Sequence, residues 1–369
     1  MEQSVKDILA DDFWIMPATP EYIDKGVPYI TSKNIKNGTI DFSKVNYISQ
    51  EDYEYISKNR PILVGDILIS MIGTLGETAE VKETDGLFYG QNMFLVRIDE
   101  SKVNKRYFLN FFKSNCVKRA LKGKQNQSTQ KYLKANHIED LIIPVPDVTK
   151  QELIAKQLDK LTYIITLRTN ELKQLDDLIK ARFVEMFGDP VANNKGWKTK
   201  PLLDMGKCKN GMNFHYDDSG IEISCLGVGD FKDLSVIDNT KKLSIVSLNE
   251  MPSEEYLLKD GDIVFVRSNG NKDLVGRSLA IYPGNLPTTF SGFCIRYRIH
   301  DDEITVLYLL RVLKMESMRK KMAGRGANIQ NLNQQILGTL VIPVPPIELQ
   351  NQFADFVRAV DKSKFMQTL

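Results

Sequence analysis

The chain has 369 residues, 42% of them apolar and 26% charged, with 49 basic against 47 acidic side chains. That length predicts two or three domains, and the composition is globular and excludes a disordered chain. A net charge of +2 neither predicts nor excludes a polyanionic partner, so the placement of the charges matters more than their sum.

The opening stretch MEQSVKDILADDFW has no basic end followed by an apolar core, so no secretory signal is expected. No apolar run reaches the ~18 residues of a membrane span. The four cysteines are scattered without Cys-x-x-Cys spacing. They predict a reduced, cytoplasmic protein with neither disulfides nor a zinc knuckle.

Read in chain order, GVPYIT (26–31) comes first, and GDILIS (65–70) is strand-like after a Gly-Asp turn. A polar turn, SMIGTLG (70–76), follows, with Ser70 and Thr74 as candidate phosphate contacts. The next strand, NMFLVRI, is preceded by Gln91 and Asn92, which can contact base or phosphate. Residues 105–123 have helical spacing and stop at Gly123. From Ser101 to Ile138 there are ten Lys and Arg and no Asp or Glu. Within that window Lys118, Arg119, Lys122, Lys124 and Lys131 are candidate phosphate ligands. The loop residues Gln125, Asn126, Gln127, Ser128 and Thr129 carry the donors and acceptors that read base edges. A solvated basic face is the plainer reading of one such window.

LIIPVP (141–146) comes next, and its prolines suit neither a helix nor a central strand. A long helix follows. Thr149 and Glu152 predict its capping box, and Gly188-Asp189-Pro190 its stop. Ile154, Leu158, Leu161, Ile165, Leu172, Leu175, Ile179 and Met186 recur as a heptad seam, interrupted by Arg168 and Arg182. That pattern predicts a coiled-coil rod of roughly 58 Å.

The second half repeats the first. LVIPVP (340–345) lies 199 positions after its twin, and residues 129–146 lie over 328–345 at that offset. GVPYIT is matched by GIEISC (220–225), GDILIS by GDIVFV (261–266) and FYGQNMFLVRID by FSGFCIRYRIH (290–300). The second polar turn, RSNGNKDLVGR, offers Arg267, Ser268, Asn269, Asn271, Lys272 and Arg277. Between Ile304 and Ile347 six basic residues face one acid, Glu316. Lys320, Lys321 and Arg325 are candidate phosphate ligands there, and Asn328, Gln330 and Asn331 candidate base readers. Two such windows at matching positions favour DNA binding over a solvated face. The closing helix repeats the seam with Phe353, Val357 and Val360 but has Lys364 at the next position, so it is expected to be a truncated partner about half as long. Leu172 to Phe187 would then lack a partner in the chain.

The sequence has no Walker A loop, no complete dinucleotide fingerprint and no Asn/Asp-Pro-Pro-aromatic methyltransferase box. His137, His215 and His300 have no metal-ligand spacing.

Two diverged units, each with a Gly-Asp-Ile strand and a basic polar loop, each closing in Ile-Pro-Val-Pro before a long helix, resemble the specificity (S) subunit of Type I restriction–modification enzymes. The resemblance spans the whole chain. It implies an α+β fold: target-recognition domain 1 at 1–147, a coiled-coil spacer helix at 148–187, target-recognition domain 2 at 188–346 and a truncated second conserved helix at 347–369. It implies a non-catalytic subunit, each repeat reading one half of a bipartite double-stranded DNA site. In the family the helices pack antiparallel and dock two methyltransferase (M) subunits, which carry S-adenosylmethionine. Restriction (R) subunits use ATP and Mg. No cofactor or metal is expected in this chain, and self-association through the unpaired part of the first helix is. The alternative readings are a specificity subunit of another restriction–methylation class, or a coiled-coil scaffold that binds no DNA.

Overall fold

The computed structural model describes residues 2–16, 20–73, 75–123, 132–214, 220–231, 235–323 and 331–368, with side chains through 364. Two compact units emerge, Met1–Leu167 and Arg168–Leu369. Among the described residues no helix is long and apolar enough to cross a membrane.

In the first unit the Gly-Asp-Ile strand, Ile67–Ser70, is central to a four-stranded antiparallel sheet. It pairs with Met93–Val96 on one side and Thr78–Glu80 on the other, and Trp14–Ile15 forms the far edge. Successive side chains alternate between faces. Ile67 and Ile69 enter a core with Phe108, Phe112 and Leu121 of the following helices. Leu68 and Leu95 enter a second core with Tyr29 and Tyr89. Those tyrosines belong to a three-stranded sheet in which Val27–Thr31 pairs antiparallel with Asn46–Ile48 and parallel with Tyr89–Gln91.

The second unit repeats this plan. Asp262–Val266 lies between Cys294–Ile299 and Ser278–Ile281, with Gly206–Asn210 and Val236–Ile237 at the edges. Ile221–Leu226 pairs antiparallel with Ser244–Leu248 and parallel with Thr288–Phe290. A central strand buried on both faces explains why both Gly-Asp-Ile runs are continuously apolar rather than alternating.

Each proline phrase is a strand, but in a two-stranded sheet where a missing donor is tolerated. Ile142–Pro144 pairs with Glu2–Ser4, and Val341–Pro343 pairs with Thr199–Pro201. The phrase therefore ties the end of each repeat to its beginning.

The single helix expected over 105–123 is two helices, Lys105–Phe112 and Asn115–Gly123. The Ser114 hydroxyl accepts the Val117 amide hydrogen at 3.3 Å and starts the second. In the other unit extended backbone at Met315 separates Val306–Lys314 from Glu316–Ala323.

The long helix is Val148–Phe187, 40 residues. Its cap is Asp147, whose Oδ1 accepts the Lys150 amide at 2.9 Å, so the expected Thr149–Glu152 box does not form. Gly188 ends it with φ +77°, its backbone N–H donating to the Val184 carbonyl at 2.8 Å. The heptad seam is corrected as well. Ile179, Phe183 and Phe187 are the fully buried positions of its C-terminal part, with Leu175 and Met186 partly buried. A spacing of four suits packing on a domain core better than a two-stranded seam.

The closing helix, Ile347–Thr368, packs on that part. Phe353 lies 5.3 Å from Phe183 and 5.6 Å from Phe187, ring centre to ring centre, and Lys364 bonds Asp176 at 2.7 Å. One helix advances from 353 to 364 while the other runs back from 187 to 176, so they are antiparallel. The expectation that Leu172–Phe187 lacks a partner is thus reversed. An exposed apolar stretch lies earlier, where Leu158, Leu161, Tyr163, Ile164, Ile165 and Leu167 are each 39–64% exposed.

Candidate nucleic-acid interface

In the first unit three features meet at one end of the four-stranded sheet. The first is the turn after Ile67–Ser70. Gly76 adopts φ +75° and returns its amide to the Ser70 carbonyl at 3.0 Å. A Cβ on Gly76 would meet Leu121 at 3.1 Å, so the turn lies against the helix Asn115–Gly123. That helix is the second feature. It buries Val117 and Leu121 and exposes Lys118, Arg119 and Lys122, none of which forms an ion pair with a described residue. The third is the segment after the amide-rich stretch 124–131, a stretch that lies outside the described residues: Leu133 donates to the Met71 carbonyl at 2.9 Å and Tyr132 bridges Ile72.

The second unit assembles the same three. Gly276, again at φ +75°, donates to the Val266 carbonyl at 2.9 Å. Leu332 donates to the Arg267 carbonyl at 2.8 Å, the twin of the Leu133 bond. This turn spans eleven residues between its strand ends (267–277) where the first spans seven (71–77). Asn269 and Asn271 use their side-chain oxygens on the amides of Asn271 (2.8 Å) and Asp273 (3.1 Å). Their NH2 groups carry the remaining donors. Arg319 reaches across from Glu316–Ala323 to the Val275 carbonyl at 3.3 Å. Lys314 donates to the Ser235 hydroxyl at 2.7 Å.

Arg277, Arg311, Lys314 and Arg319 therefore form a half-buried cationic group beside the turn. Burial, then Arg311 and Arg277, pushes the Lys314 ammonium down to about 8. Burial likewise holds Arg311 and Arg319 below the ordinary arginine value. Concentrated cations of this kind suit a phosphate backbone. Sequence reasoning counted Arg311, Lys314 and Arg319 in the basic window but did not single them out.

Other expectations change. Ser70 is fully buried and its hydroxyl accepts the Glu77 amide at 2.9 Å, so it closes the turn and cannot face a duplex. The basic window is less free than its composition suggests. Lys105 bonds Glu80 at 3.0 Å, and Arg106 pairs with Asp159 of the long helix. Lys320 pairs with Glu316 at 2.7 Å, whereas Lys321 and Asn331 are exposed. Gln91 donates to the Tyr22 hydroxyl at 3.1 Å, and Asn92 occupies a left-handed position, φ +59°, between two strands. Arg267 and Ser268 are half-buried; Lys272 is exposed. Thr74, Lys124, Gln125, Asn126, Gln127, Ser128, Thr129, Lys131, Arg325, Asn328 and Gln330 lie outside the described residues. No group of three or more His, Cys, Asp or Glu placed to hold a metal occurs among the described residues.

Two buried devices, each present twice, hold these surfaces in place. Asp66 and Asp262, both 1% exposed, receive two-pronged bonds from Arg97 (2.7 and 2.9 Å) and Arg298 (2.7 and 2.7 Å). Gln151 and Gln350, both 0% exposed, link the start of each long helix to the end of the proline phrase. The glutamines carry a signal that passed unused: they sit 199 apart, as the phrases do.

Residues 15–177 and 194–369 match the family model for the Type I restriction modification DNA specificity domain. The Type I restriction enzyme StySPI specificity subunit of Salmonella potsdam is 24% identical over 363 residues, covering 92% of this chain and 75% of that protein. The EcoKI specificity subunit of Escherichia coli K12 is 21% identical over 369 residues, covering 92% and 75%. The S subunit of a Type I restriction–modification system from M. genitalium has a similar fold, with TM-score 0.54 and 13% identity over 100% of this chain and 91% of that one. A chain from a structure of Type I R-M complex assembly gives TM-score 0.55 at 17% identity, over 100% and 94%.

Proposed function

The chain belongs to the Type I restriction modification DNA specificity family, and from that premise we propose that each of its two units reads one half of a bipartite double-stranded DNA target. The observation that carries the reading is that, in both units, a glycine-closed turn beside a cation-bearing helix is bonded to the segment that follows an amide-rich stretch of the sequence, through the equivalent bonds of Leu133 and Leu332. Cations hold the backbone without regard to sequence, and amide side chains discriminate base edges. The turns differ by four residues and the loops differ in composition, so the two half-sites differ.

In this reading the chain catalyses nothing. Methyltransferase subunits, with S-adenosylmethionine, and restriction subunits, with ATP and Mg, supply the chemistry. The exposed apolar run Leu158–Leu167 supports docking of such a partner on the long helix. Reconstitution with the methyltransferase subunit and genome-wide mapping of methylated adenines tests it. The expected result is one split motif whose two halves change independently when loop residues of one unit are replaced. Methylation without a split motif would refute the two-reader assignment.

A further inference from the structure

The second unit contains a cavity of about 500 Å³ that the DNA-reading surface does not use. Lys207, Lys259, Arg296 and Arg298 line it, with Glu254 and Glu255 beside them. These residues cluster about the start of the strand Asp262–Val266, whereas the turn 267–277 follows its end.

Arg296 is the anomaly. It sits in the middle of a central strand, opposite Lys209 on one side and Val264 on the other, and is 6% exposed. Its Nε is buried without a hydrogen-bond partner. The neighbouring acids are already engaged. Asp262 holds Arg298, Glu255 holds Lys209 at 2.5 Å, and Glu254 holds Lys259 at 3.1 Å. A buried guanidinium whose nearby carboxylates, Asp262 and Glu255, are each bonded to another cation is only partly compensated, and that is costly. Burial and the adjacent Arg298 hold Arg296 below the ordinary arginine value.

The fold does not require a cation there. The twin strand of the first unit places Leu95 at the same register, opposite Leu68 and fully buried. The arginine is thus particular to the second unit, and it lines a space of the size that organic ligands occupy.

We propose that this cavity is an oxyanion site, in which a phosphate-bearing small molecule sets its phosphate on the Arg296 guanidinium, with Lys207 as a second cation. A guanidinium fork matches phosphate oxygens two at a time. The phosphate fills only part of the space, and Glu254 and Glu255 offer acceptors to hydroxyl or amino groups on the remainder. Free phosphate and the phosphate of a nucleotide share this chemistry.

Thermal unfolding of the full chain in chloride buffer of constant ionic strength, titrated with inorganic phosphate or with adenosine monophosphate, tests the site. The wild type is expected to show a saturable rise in Tm, roughly 5 °C at a hundredfold excess over Kd. R296L, which restores the first unit's residue, should abolish the rise, and K207A should move it to higher concentration. If R296L does not fold, calorimetric titration of K207A against wild type carries the test. Adenosine monophosphate saturating well below inorganic phosphate identifies an ester; equal concentrations identify free phosphate. No rise in the wild type, or an equal rise in R296L, overturns the proposal. So does a loss of DNA affinity in R296L with the phosphate response intact, which would assign Arg296 to the duplex.

Discussion

Gln151 accepts the amide hydrogen of Asn104 at 2.8 Å, joining the second turn of the long helix to the residue that caps Lys105–Phe112. Its Nε2 donates to the carbonyls of Pro146 (2.8 Å) and Lys102 (3.2 Å). Gln350 repeats the set with Thr305, Pro345 and Glu303 at 2.8, 2.9 and 2.8 Å. Replacing Gln151 with alanine strands a buried amide hydrogen and two carbonyls. The expected loss is ~1–3 kcal/mol, read by urea unfolding at unchanged m. Gln350→Ala should cost about as much.

The exposed cations of Asn115–Gly123 should act on affinity and not on base choice. Alanine at Lys118, Arg119 and Lys122 together is expected to weaken binding to every sequence alike. The slope of log K against log salt should shallow by ~0.9 for each phosphate that is no longer neutralised. Binding assays at several salt concentrations on target and non-target duplexes check both points. A change of preferred bases would assign these side chains to readout instead.

Asn331 behaves differently in this scheme. It is exposed, immediately before the Leu332 bond that pins the second loop. Asn331→Ala is expected to relax discrimination in one half-site by ~1–3 kcal/mol and to leave the other half unchanged. Selection from a randomised duplex pool reads the outcome. Uniform loss across both halves would remove Asn331 from the base-reading set.

The architecture was largely legible because the duplication left paired marks in the sequence. Proline phrases and Gly-Asp-Ile strands each appear twice, and each pair folds alike. What was not legible depends on interactions made across the chain. Nothing local distinguishes Ser70, which turns inward, from an exposed turn serine. Nothing in the basic window announces that Lys105 and Arg106 find Glu80 and Asp159 outside it. The heptad pattern gave the length of the rod but not its buried face, since Phe183 and Phe187 pack on Tyr308 as well as on Phe353.

Lys314 predicts a pH dependence of definite sign. Burial and the neighbouring Arg311 and Arg277 lower it from 10.5 to about 8 in the folded chain. Between those two values the unfolded chain binds more protons, so stability without DNA should rise with pH through that range. A duplex phosphate favours the charged ammonium, so affinity should fall as pH rises through about 8. Lys314→Arg, which stays charged, should flatten the affinity profile. Fluorescence anisotropy at fixed salt between about pH 7 and about pH 9.5 separates the two. Affinity independent of pH in the wild type would place Lys314 away from the backbone.

The exposed apolar run of the long helix makes the last prediction. From Leu161 to Leu167 the helix shows Leu161, Tyr163, Ile164, Ile165 and Leu167 at 42–64% exposure. Meanwhile Thr162 and Thr166 return their hydroxyls to the carbonyls four residues back, at 2.9 Å each. Such a surface has little to lose within the chain itself. Leu161→Ser with Ile165→Ser should therefore change stability by no more than about 0.5 kcal/mol. If this face docks the methyltransferase subunit, the same pair should weaken that assembly at least tenfold, equivalent to about 1.4 kcal/mol, while DNA binding by the chain alone stays as it was. Sedimentation of the mixed subunits, with anisotropy on the free chain, reads both quantities. Weakened DNA binding with assembly intact would place the duplex on this face, and a marked loss of stability would show that the run is covered within the chain.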